Sequence, residues 1–321
     1  MNYPSYLNLS REELEKRAGA AWARLNPCCV CPRECGVNRQ LKMQNAKYLP
    51  DRQAGQMKRF GFCGVGAEPI ISSCHPHFGE ERCLVGKFGS GTIFFTSCNL
   101  ACVYCQNFEI SQLRIGKEVS SEELACMMVN LQEQGCHNLN LVSPTIYVPQ
   151  ILKSLLLAVP KGFHRPLVYN SGGYDHAETL KLLDGIVDIY MPDIKYSNNK
   201  IAQRYSLAPN YREKVRLAIK EMQRQVGNLV IDEKTGLAVK GLLVRHLVLP
   251  NNLAGTKKVM EFLAQEISRD TYVNLMDQYY PYHKAYLYPK LSRKITTQEY
   301  EEAMRAALDA GLHRFDKKRS T

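Results

Sequence analysis

The sequence predicts an α/β protein, specifically a partial (β/α)6 TIM-like barrel preceded by an N-terminal helix and a cysteine-rich extension. From about residue 91 onward, short apolar runs alternate with amphipathic helical stretches, which favours right-handed βαβ units and a parallel sheet. The six apolar runs are two fewer than a closed eight-stranded barrel requires, although a doubly wound open sheet also fits the pattern. We therefore expect an extension over residues 1–90, a barrel with a C-terminal helix over residues 91–321, and chemistry at the carboxyl ends of the strands.

The individual elements can be assigned in order along the chain. Ser10 followed three residues later by Glu13 is a capping-box pattern, which predicts a helix reaching about Leu25. The stretch 27–91 is punctuated by Gly, Pro and Cys with little periodicity, so few regular elements are expected in it. The predicted strands are Thr92–Thr96, Leu139–Val142, Leu167–Asn170, Ile186–Met191, Leu242–Leu249 and Tyr272–Met276. The predicted helices after the first are Ser121–Gln134, Tyr147–Val159, His176–Leu183, Tyr211–Val226, Thr256–Ile267 and Thr297–Ala310.

The composition limits the class of protein and its surroundings. The 321 residues are 45% hydrophobic and 23% charged, with no apolar run of membrane-spanning length and no secretory pattern at the N-terminus. A soluble, cytoplasmic protein without membrane association is expected, in which the twelve cysteines serve metal or cluster ligation rather than disulfides. The net charge of +11 favours anionic partners, but no basic-aromatic platform is present, so nucleic acid is not an expected partner.

Three cysteines form the most informative motif. Cys98, Cys102 and Cys105 are spaced C-x3-C-x2-C in a loop after the first barrel strand, and three thiolates can hold three irons of a [4Fe–4S] cluster while the fourth stays open. An open iron can bind the amino and carboxylate groups of S-adenosylmethionine (SAM) and pass an electron to its sulfonium, which releases a 5′-deoxyadenosyl radical. There are three alternatives. The cysteines could bind zinc or a ferredoxin-type cluster, each of which would lack its fourth ligand here, or they could be clustered by chance. Tyr104 either packs on the adenine or is an ordinary surface or core tyrosine.

At this motif the sequence resembles the radical SAM superfamily, and within it the branch of pyruvate formate-lyase activating enzymes, over roughly residues 91–276. The resemblance implies that Asp193 and Lys195, in the segment Asp-Ile-Lys, lie beside SAM, and that Asn170 holds its ribose hydroxyls. It also implies that His246 contacts the methionine or ribose part of SAM. Taken as bare residues, Asp193 and Lys195 could be a surface pair, and His246 could be a satisfied core histidine.

The resemblance has two further consequences. It implies a Na⁺ or K⁺ ion held by Asn170, Asp193 and the Met191 carbonyl. The family usually carries Gly-Gly-Glu-Pro after the second strand to accept the SAM amino group, whereas this chain has Ser143-Pro-Thr. We expect Ser143 and the adjacent carbonyls to accept that group instead.

A second group of cysteines precedes the barrel. Four thiols could close a four-coordinate site for Zn²⁺ or for a fully ligated auxiliary [4Fe–4S] cluster, with a structural or electron-transferring role. The pattern C-x2-C-P-R-x-C followed by G-x-C-G resembles the N-terminal extension of a largely uncharacterised subgroup of activating-enzyme-like proteins. Cys29 is among the alternative ligands. The four predicted ligands are Cys28, Cys31, Cys35 and Cys63.

Together these motifs predict an activating-enzyme-like radical SAM oxidoreductase. The expected reaction is hydrogen abstraction from a glycine of a partner enzyme, which installs a glycyl radical, with an external electron donor such as flavodoxin or ferredoxin. Radical modification of a small molecule, a peptide or RNA is the alternative within enzymes. A non-catalytic Fe–S or zinc protein that transfers electrons or acts as a scaffold is the alternative from another class.

Overall fold

The computed structural model describes residues 3–40 and 61–316; residues 41–60 of the predicted extension and residues 317–321 lie outside the described residues. The strands are β1 Ile70–His77, β2 Ser90–Phe95, β3 Lys117–Glu118, β4 Leu139–Val142, β5 Leu167–Ser171, β6 Ile189–Pro192, β7 Val230–Ile231, β8 Ala238–Leu247, β9 Tyr272–Met276 and β10 Arg314–Phe315. The helices are α1 Arg11–Ala23, α2 Arg82–Val85, α3 Phe108–Ser111, α4 Ser121–Glu133, α5 Val148–Ala158, α6 Ala177–Leu180, α7 Asn199–Ser206, α8 Tyr211–Val226, α9 Thr256–Phe262 and α10 Thr297–Asp309.

The central sheet confirms the predicted fold class. The six predicted strands correspond to β2, β4, β5, β6, β8 and β9, which lie side by side in this order and are all parallel. β1 is antiparallel to β2, β3 is antiparallel to β1, and β10 extends the other end in parallel with β9. Among the described strands the path ends at β10 and β3 without closing, so the sheet forms a partial barrel.

The two faces of the sheet have different surroundings because successive side chains of a strand point to opposite faces. The outer face packs against the helices in the main hydrophobic core, to which Leu141, Tyr169 and Val244 contribute. The inner face carries a smaller apolar cluster that includes Met191 and Leu243. A side chain can therefore be placed on the helix side or inside the barrel from its position along the strand.

The inside of the barrel is filled by the turn between β1 and β2. This turn contains the short helix α2, whose Cys83 and Leu84 join the inner cluster with Val168 and Ile189. The expectation of few regular elements before residue 91 missed both β1 and α2. The predicted boundary after residue 90 falls inside β2, within a hairpin that belongs to one sheet.

Helix starts follow local hydrogen bonding. The predicted start of α1 is confirmed, since the Ser10 hydroxyl accepts a hydrogen bond from the Glu13 N–H at 3.1 Å. α10 begins at a capping box formed by Thr296 and Glu299. Helix α7, capped by the Asn198 side chain, was not predicted from the sequence. None of the helices in the described part of the chain is long and apolar enough to cross a membrane.

Candidate functional site

The three-cysteine motif lies in the loop after β2, at the carboxyl end of the first parallel strand. We call Cys98–Cys105 the cysteine loop. Ser97 takes a left-handed backbone conformation with φ of 62°, which turns the chain out of the strand. The end of α7 fixes the loop, because the Ala101 N–H donates to the Ser206 carbonyl at 3.0 Å and the Val103 N–H donates to the Tyr205 carbonyl at 2.9 Å. A helix that the sequence did not reveal therefore positions the predicted ligands.

The surroundings of the three sulfurs suit thiolate ligands of a cluster. The Leu100 N–H donates to Cys98 Sγ at 3.3 Å, and the Ser206 hydroxyl donates to Cys102 Sγ at 2.9 Å. Cys105 Sγ lies 3.2 Å from the Ser111 hydroxyl. Burial raises the pKa of the Cys102 thiol to about 12, against the opposing effect of Lys195, so iron binding must displace a proton there.

A group of polar side chains faces the loop from the inner side of the sheet. We call Asn170, Asp193, Lys195 and Arg245 the polar layer. Lys195 Nζ lies 2.6 Å from Asp193 Oδ2, and Arg245 Nε donates to Asp193 Oδ1 at 2.9 Å. Arg245 also donates to Asn170 Oδ1 at 2.6 Å. The ends of β5, β6 and β8 thus meet at one centre, and three of its four members were predicted.

Charge balance holds the polar layer together. Burial alone would raise the pKa of Asp193, but Arg245 and Lys195 outweigh it and hold this pKa below its usual range. Burial lowers the pKa of Lys195, but Asp193 and the Cys102 thiol outweigh it and raise this pKa. The interaction of Lys195 with Cys102 places the polar layer within electrostatic reach of the cysteine loop.

Arg245 also affects the predicted cation site. The two side-chain oxygens predicted to bind Na⁺ or K⁺, Asn170 Oδ1 and Asp193 Oδ1, both accept hydrogen bonds from the Arg245 guanidinium. The guanidinium of Arg245, on β8, therefore occupies the position predicted for a free Na⁺ or K⁺ ion. The geometry gives no support to that predicted ion.

His246 does not belong to the polar layer. Its neighbour Arg245 points into the barrel, so the His246 ring points to the helix side, where it is fully buried. Nδ1 lies 2.6 Å from the Ile194 carbonyl and Nε2 lies 3.0 Å from the Thr256 hydroxyl. Burial lowers the pKa of His246 to about 4. This geometry matches the other interpretation, a satisfied core histidine, and the SAM contact stays a prediction.

Two other predicted SAM contacts occupy different surroundings. Tyr104 is buried and packs edge-on against Tyr196 and Tyr279, with ring centroids 6.4 and 5.7 Å apart. Ser143 follows β4 with φ of 61°, and its N–H donates to the Asn170 carbonyl at 2.9 Å. Ser143 is thus next to the polar layer, whereas Tyr104 belongs to an aromatic cluster behind the cysteine loop.

A cleft of about 340 Å³ reaches the polar layer from outside, between the β1–β2 turn and the carboxyl end of β9. Glu81 Oε1 accepts from the Asn274 amide at 2.8 Å, while Glu81 Oε2 is buried without a hydrogen-bond partner in the described residues. Burial, against the opposing effect of Arg245, raises the pKa of Glu80 to about 7. The lining includes Glu80, Glu81, Arg82, Arg245, Asn274 and Asp277.

The four N-terminal cysteines also come together. We call Cys28, Cys31, Cys35 and Cys63 the N-terminal cysteine site, because all four line one small cavity. The Phe62 N–H donates to Cys35 Sγ at 3.5 Å, and the fully buried Arg39 reaches Cys28 Sγ at 3.9 Å. Cys29 is not part of the lining. The structure thus brings together the four predicted ligands, although residues 41–60, between Cys35 and Cys63, lie outside the described chain.

Neither cysteine group has the spacing needed for a single metal ion. Within residues 3–40 and 61–316, no three or more His, Cys, Asp or Glu side chains are arranged to hold one metal ion. Zinc draws four sulfurs to about 2.3 Å from one centre, whereas each thiolate of a [4Fe–4S] cluster binds a different iron. Four thiols that line one cavity and three thiols in one loop match the ligand numbers of a fully ligated cluster and of a cluster with one open iron.

Arg245 is the member of the polar layer that was not predicted from the sequence. It is a charged residue inside the apolar run Leu-Leu-Val-Arg-His-Leu-Val-Leu, and that charge was the available signal. Glu80 and Glu81 gave no such signal, because their approach to Arg245 depends on how the β1–β2 turn folds into the barrel.

Comparison with known proteins identifies the family. The family model described as the radical SAM superfamily matches residues 92–237. The chain is 33% identical over 292 residues to the uncharacterized protein MJ0674 of Methanocaldococcus jannaschii, which covers 87% of this chain and 74% of that protein. It is 25% identical over 256 residues to the uncharacterized protein MJ0808 of the same organism, covering 76% of this chain and 68% of the relative.

Solved structures with similar folds are more distant. A radical SAM methyltransferase from Sphaerobacter thermophilus is 13% identical with a TM-score of 0.46, covering 70% of this chain and 66% of that one. A domain of pyruvate-formate lyase-activating enzyme from Bacteroides vulgatus is 14% identical with a TM-score of 0.35, covering 61% of this chain and 89% of that one.

Proposed function

The chain belongs to the radical SAM superfamily, and on that premise we propose that it cleaves SAM reductively and uses the product radical to take a hydrogen atom from a glycine of a partner enzyme. The observation that carries this proposal is the position of the cysteine loop beside the polar layer, at the carboxyl ends of parallel strands. Ligand sites of barrels of this kind lie at that edge.

The residues of the loop and the polar layer have distinct proposed roles. Cys98, Cys102 and Cys105 would hold three irons of a [4Fe–4S] cluster, which when bound would supply the electron for cleavage of a carbon–sulfur bond of SAM. Lys195 offers an ammonium group to the SAM carboxylate. Asp193 remains ionised because Arg245 and Lys195 neutralise it, and so it can accept hydrogen bonds from the ligand. Ser143 remains a proposed acceptor for the amino group of SAM.

A protein substrate is supported by the shape of the site. The sheet does not close among the described strands, and the cleft beside Arg245 connects the polar layer to the surface. An extended segment of a partner could enter through this opening, while the surrounding walls exclude water from the radical. An external electron donor of the flavodoxin or ferredoxin class and a cytoplasmic location belong to the same proposal.

The experiment is anaerobic incubation of the reconstituted protein with SAM, a reductant and a candidate glycyl radical enzyme. We expect 5′-deoxyadenosine to accumulate and a glycyl EPR doublet to appear on the partner. The matched control is the C98A/C102A/C105A variant, which should give neither. Formation of 5′-deoxyadenosine without a protein radical across a panel of such partners would instead indicate a small molecule, a peptide or RNA as substrate. No SAM cleavage by folded protein with an intact cluster would overturn the proposal.

A further inference from the structure

Arg33 lies between Cys31 and Cys35 in the sequence, and its side chain reaches the cysteine loop in space. We propose that the N-terminal cysteine site holds a second [4Fe–4S] cluster and that this cluster passes electrons to the cluster of the cysteine loop across the Arg33–Asn99 contact. The inference rests on the proposed function, since it supplies the electron for SAM cleavage. It goes beyond that function by assigning a metal and a role to the extension.

The four thiols of the N-terminal cysteine site form a complete ligand set for a [4Fe–4S] cluster. Four thiols suffice to ligate all four irons of a cubane, and such a cluster has no open iron for SAM. All four cysteines line one shared cavity, and all four belong to the described residues. A fully ligated cluster in that cavity is suited to electron transfer rather than to SAM chemistry.

Direct contacts link the N-terminal cysteine site to the cysteine loop. Arg33 Nε donates to the Asn99 carbonyl at 2.7 Å, and Asn99 is the residue after Cys98. The guanidinium also donates to the Leu207 carbonyl at 2.5 Å and lies 3.2 Å from the centre of the Phe62 ring. Arg33 interacts electrostatically with Cys31 and Cys35 on one side and with Cys98 on the other. A single side chain therefore bridges both groups of thiols.

Asn99 lies where the N-terminal cysteine site and the cysteine loop meet. It lines the cavity of the N-terminal cysteine site, although its backbone is part of the cysteine loop. Its side-chain amide donates to the Tyr174 carbonyl at 2.5 Å, which fixes it between the extension and the barrel. The two clusters would thus be separated by the width of this residue and Arg33, with no solvent layer needed between them.

Exposure indicates the direction of electron flow. Cys35 is exposed, whereas Cys102 is buried and Cys98 and Cys105 are only partly exposed, so the most open approach for an external carrier is at Cys35. The net charge of +11 favours an acidic carrier, such as a reduced ferredoxin or flavodoxin. One electron from that carrier would pass through both clusters to the SAM sulfonium, whose carbon–sulfur bond then breaks into methionine and one radical. Each cluster returns to its oxidised state, so one donor electron is used per SAM.

The first measurement counts metals in the full chain after anaerobic reconstitution. We expect about eight irons in wild type and about four in C98A/C102A/C105A, together with an EPR signal of a reduced cluster in that variant. C31A/C35A should also retain about four irons, and the neighbouring C29A control should keep the wild-type content. One zinc and no iron per chain in C98A/C102A/C105A would overturn the second cluster.

The second measurement follows reduction of the loop cluster by freeze-quench EPR, without SAM. With reduced ferredoxin as donor, C31A/C35A and R33Q should reduce the loop cluster about tenfold more slowly than wild type, whereas dithionite should reduce it at a similar rate in all three proteins. R33Q must retain both clusters by iron count. Equal rates with ferredoxin in folded wild type and C31A/C35A would overturn the relay.

The two proposals can fail separately. If wild type holds both clusters and shows the relay but never cleaves SAM with dithionite, the proposed function is wrong and the second cluster stands. If SAM cleavage proceeds and the N-terminal site contains only zinc, the proposed function stands and this inference is wrong.

Discussion

At the scale of single residues, neighbours along one strand have opposite environments. Arg245 and His246 are adjacent, yet Arg245 points into the barrel and neutralises Asp193, while His246 points outward into the helix-packed core. The pleat of a strand imposes this difference. The histidine of the family-like segment thus packs in the core, and its charged neighbour belongs to the polar layer.

Substitutions of Asp193 and His246 should distinguish a residue of the proposed SAM site from a residue of the hydrophobic core. In D193N, the loss of the charge that faces Lys195 should weaken SAM binding about tenfold, which corresponds to about 1.4 kcal/mol. In H246Q, SAM affinity should stay within about twofold of wild type, because the ring faces away from the polar layer. Equilibrium binding to folded, cluster-containing protein measures both. A tenfold loss in H246Q with an unchanged D193N would reverse the assignment.

The buried histidine should also give the fold a pH dependence. Because the pKa of His246 falls from 6.5 in the unfolded chain to about 4 in the folded protein, the unfolded chain binds the proton more readily. The stabilisation is therefore complete above pH 6.5 and is lost as the pH falls towards 4. Between pH 7 and pH 5 this one residue should remove about 2 kcal/mol of unfolding free energy.

The pH effect is measured by chemical denaturation of the apoprotein. H246Q should be less stable at pH 7, and the difference between it and wild type should shrink by the stated amount at pH 5, since glutamine does not titrate. A difference that stays constant over this range would contradict the assignment.

At the scale of elements, short backbone segments bring the cysteines together. The loop from Cys28 to Val37 is closed by the Cys28 N–H donating to the Val37 carbonyl at 2.9 Å and the Gly36 N–H donating to the Cys28 carbonyl at 3.0 Å. Gly61 then carries the fourth thiol towards this loop with φ of 68°. The glycines at positions 36 and 61 share this φ but have different neighbours.

These glycines provide a matched pair of alanine variants. An added Cβ at Gly61 would lie 3.1 Å from Cys35 Cβ and 3.2 Å from Cys35 Sγ, whereas at Gly36 it would meet nothing within 4 Å. Both variants should suffer the strain of a left-handed alanine, but G61A should lose roughly 1–3 kcal/mol more through overpacking. It should also bind less metal at the N-terminal cysteine site than G36A.

Denaturation and metal content of the C98A/C102A/C105A background test this pair, since only the N-terminal site remains there. Equal stability and equal metal content in the two glycine variants would show that Gly61 does not crowd Cys35.

At the scale of the whole molecule, the N-terminal part is integrated with the barrel. The β1–β2 turn fills the barrel interior, and the side chains of α1 join the same core as the outer face of the sheet. Leu84 is fully buried in the inner cluster. The extension and the barrel therefore stabilise each other where they meet.

Truncation of Leu84 should reveal this dependence. L84A should lose about 2–5 kcal/mol of unfolding free energy, because it leaves a cavity inside the barrel. The control L217A, at a leucine of α8 that is 56% exposed, should change stability by no more than about 0.5 kcal/mol. Urea denaturation of both variants provides the comparison, and equal losses would mean that the turn does not support the barrel.

The sequence by itself determined the six parallel strands, the position of the cysteine loop and most of the polar layer. The strands and the loop rest on local information, namely hydrophobic periodicity, motif spacing and the rule that parallel strands end at one edge. The predicted members of the polar layer, Asn170, Asp193 and Lys195, were implied by the resemblance to a known family. Only the tertiary structure decided that Arg245 and not His246 enters the barrel, that the β1–β2 turn fills its interior, and that Arg33 connects the two groups of cysteines. Each of these depends on contacts between residues far apart in the chain, to which no local pattern responds.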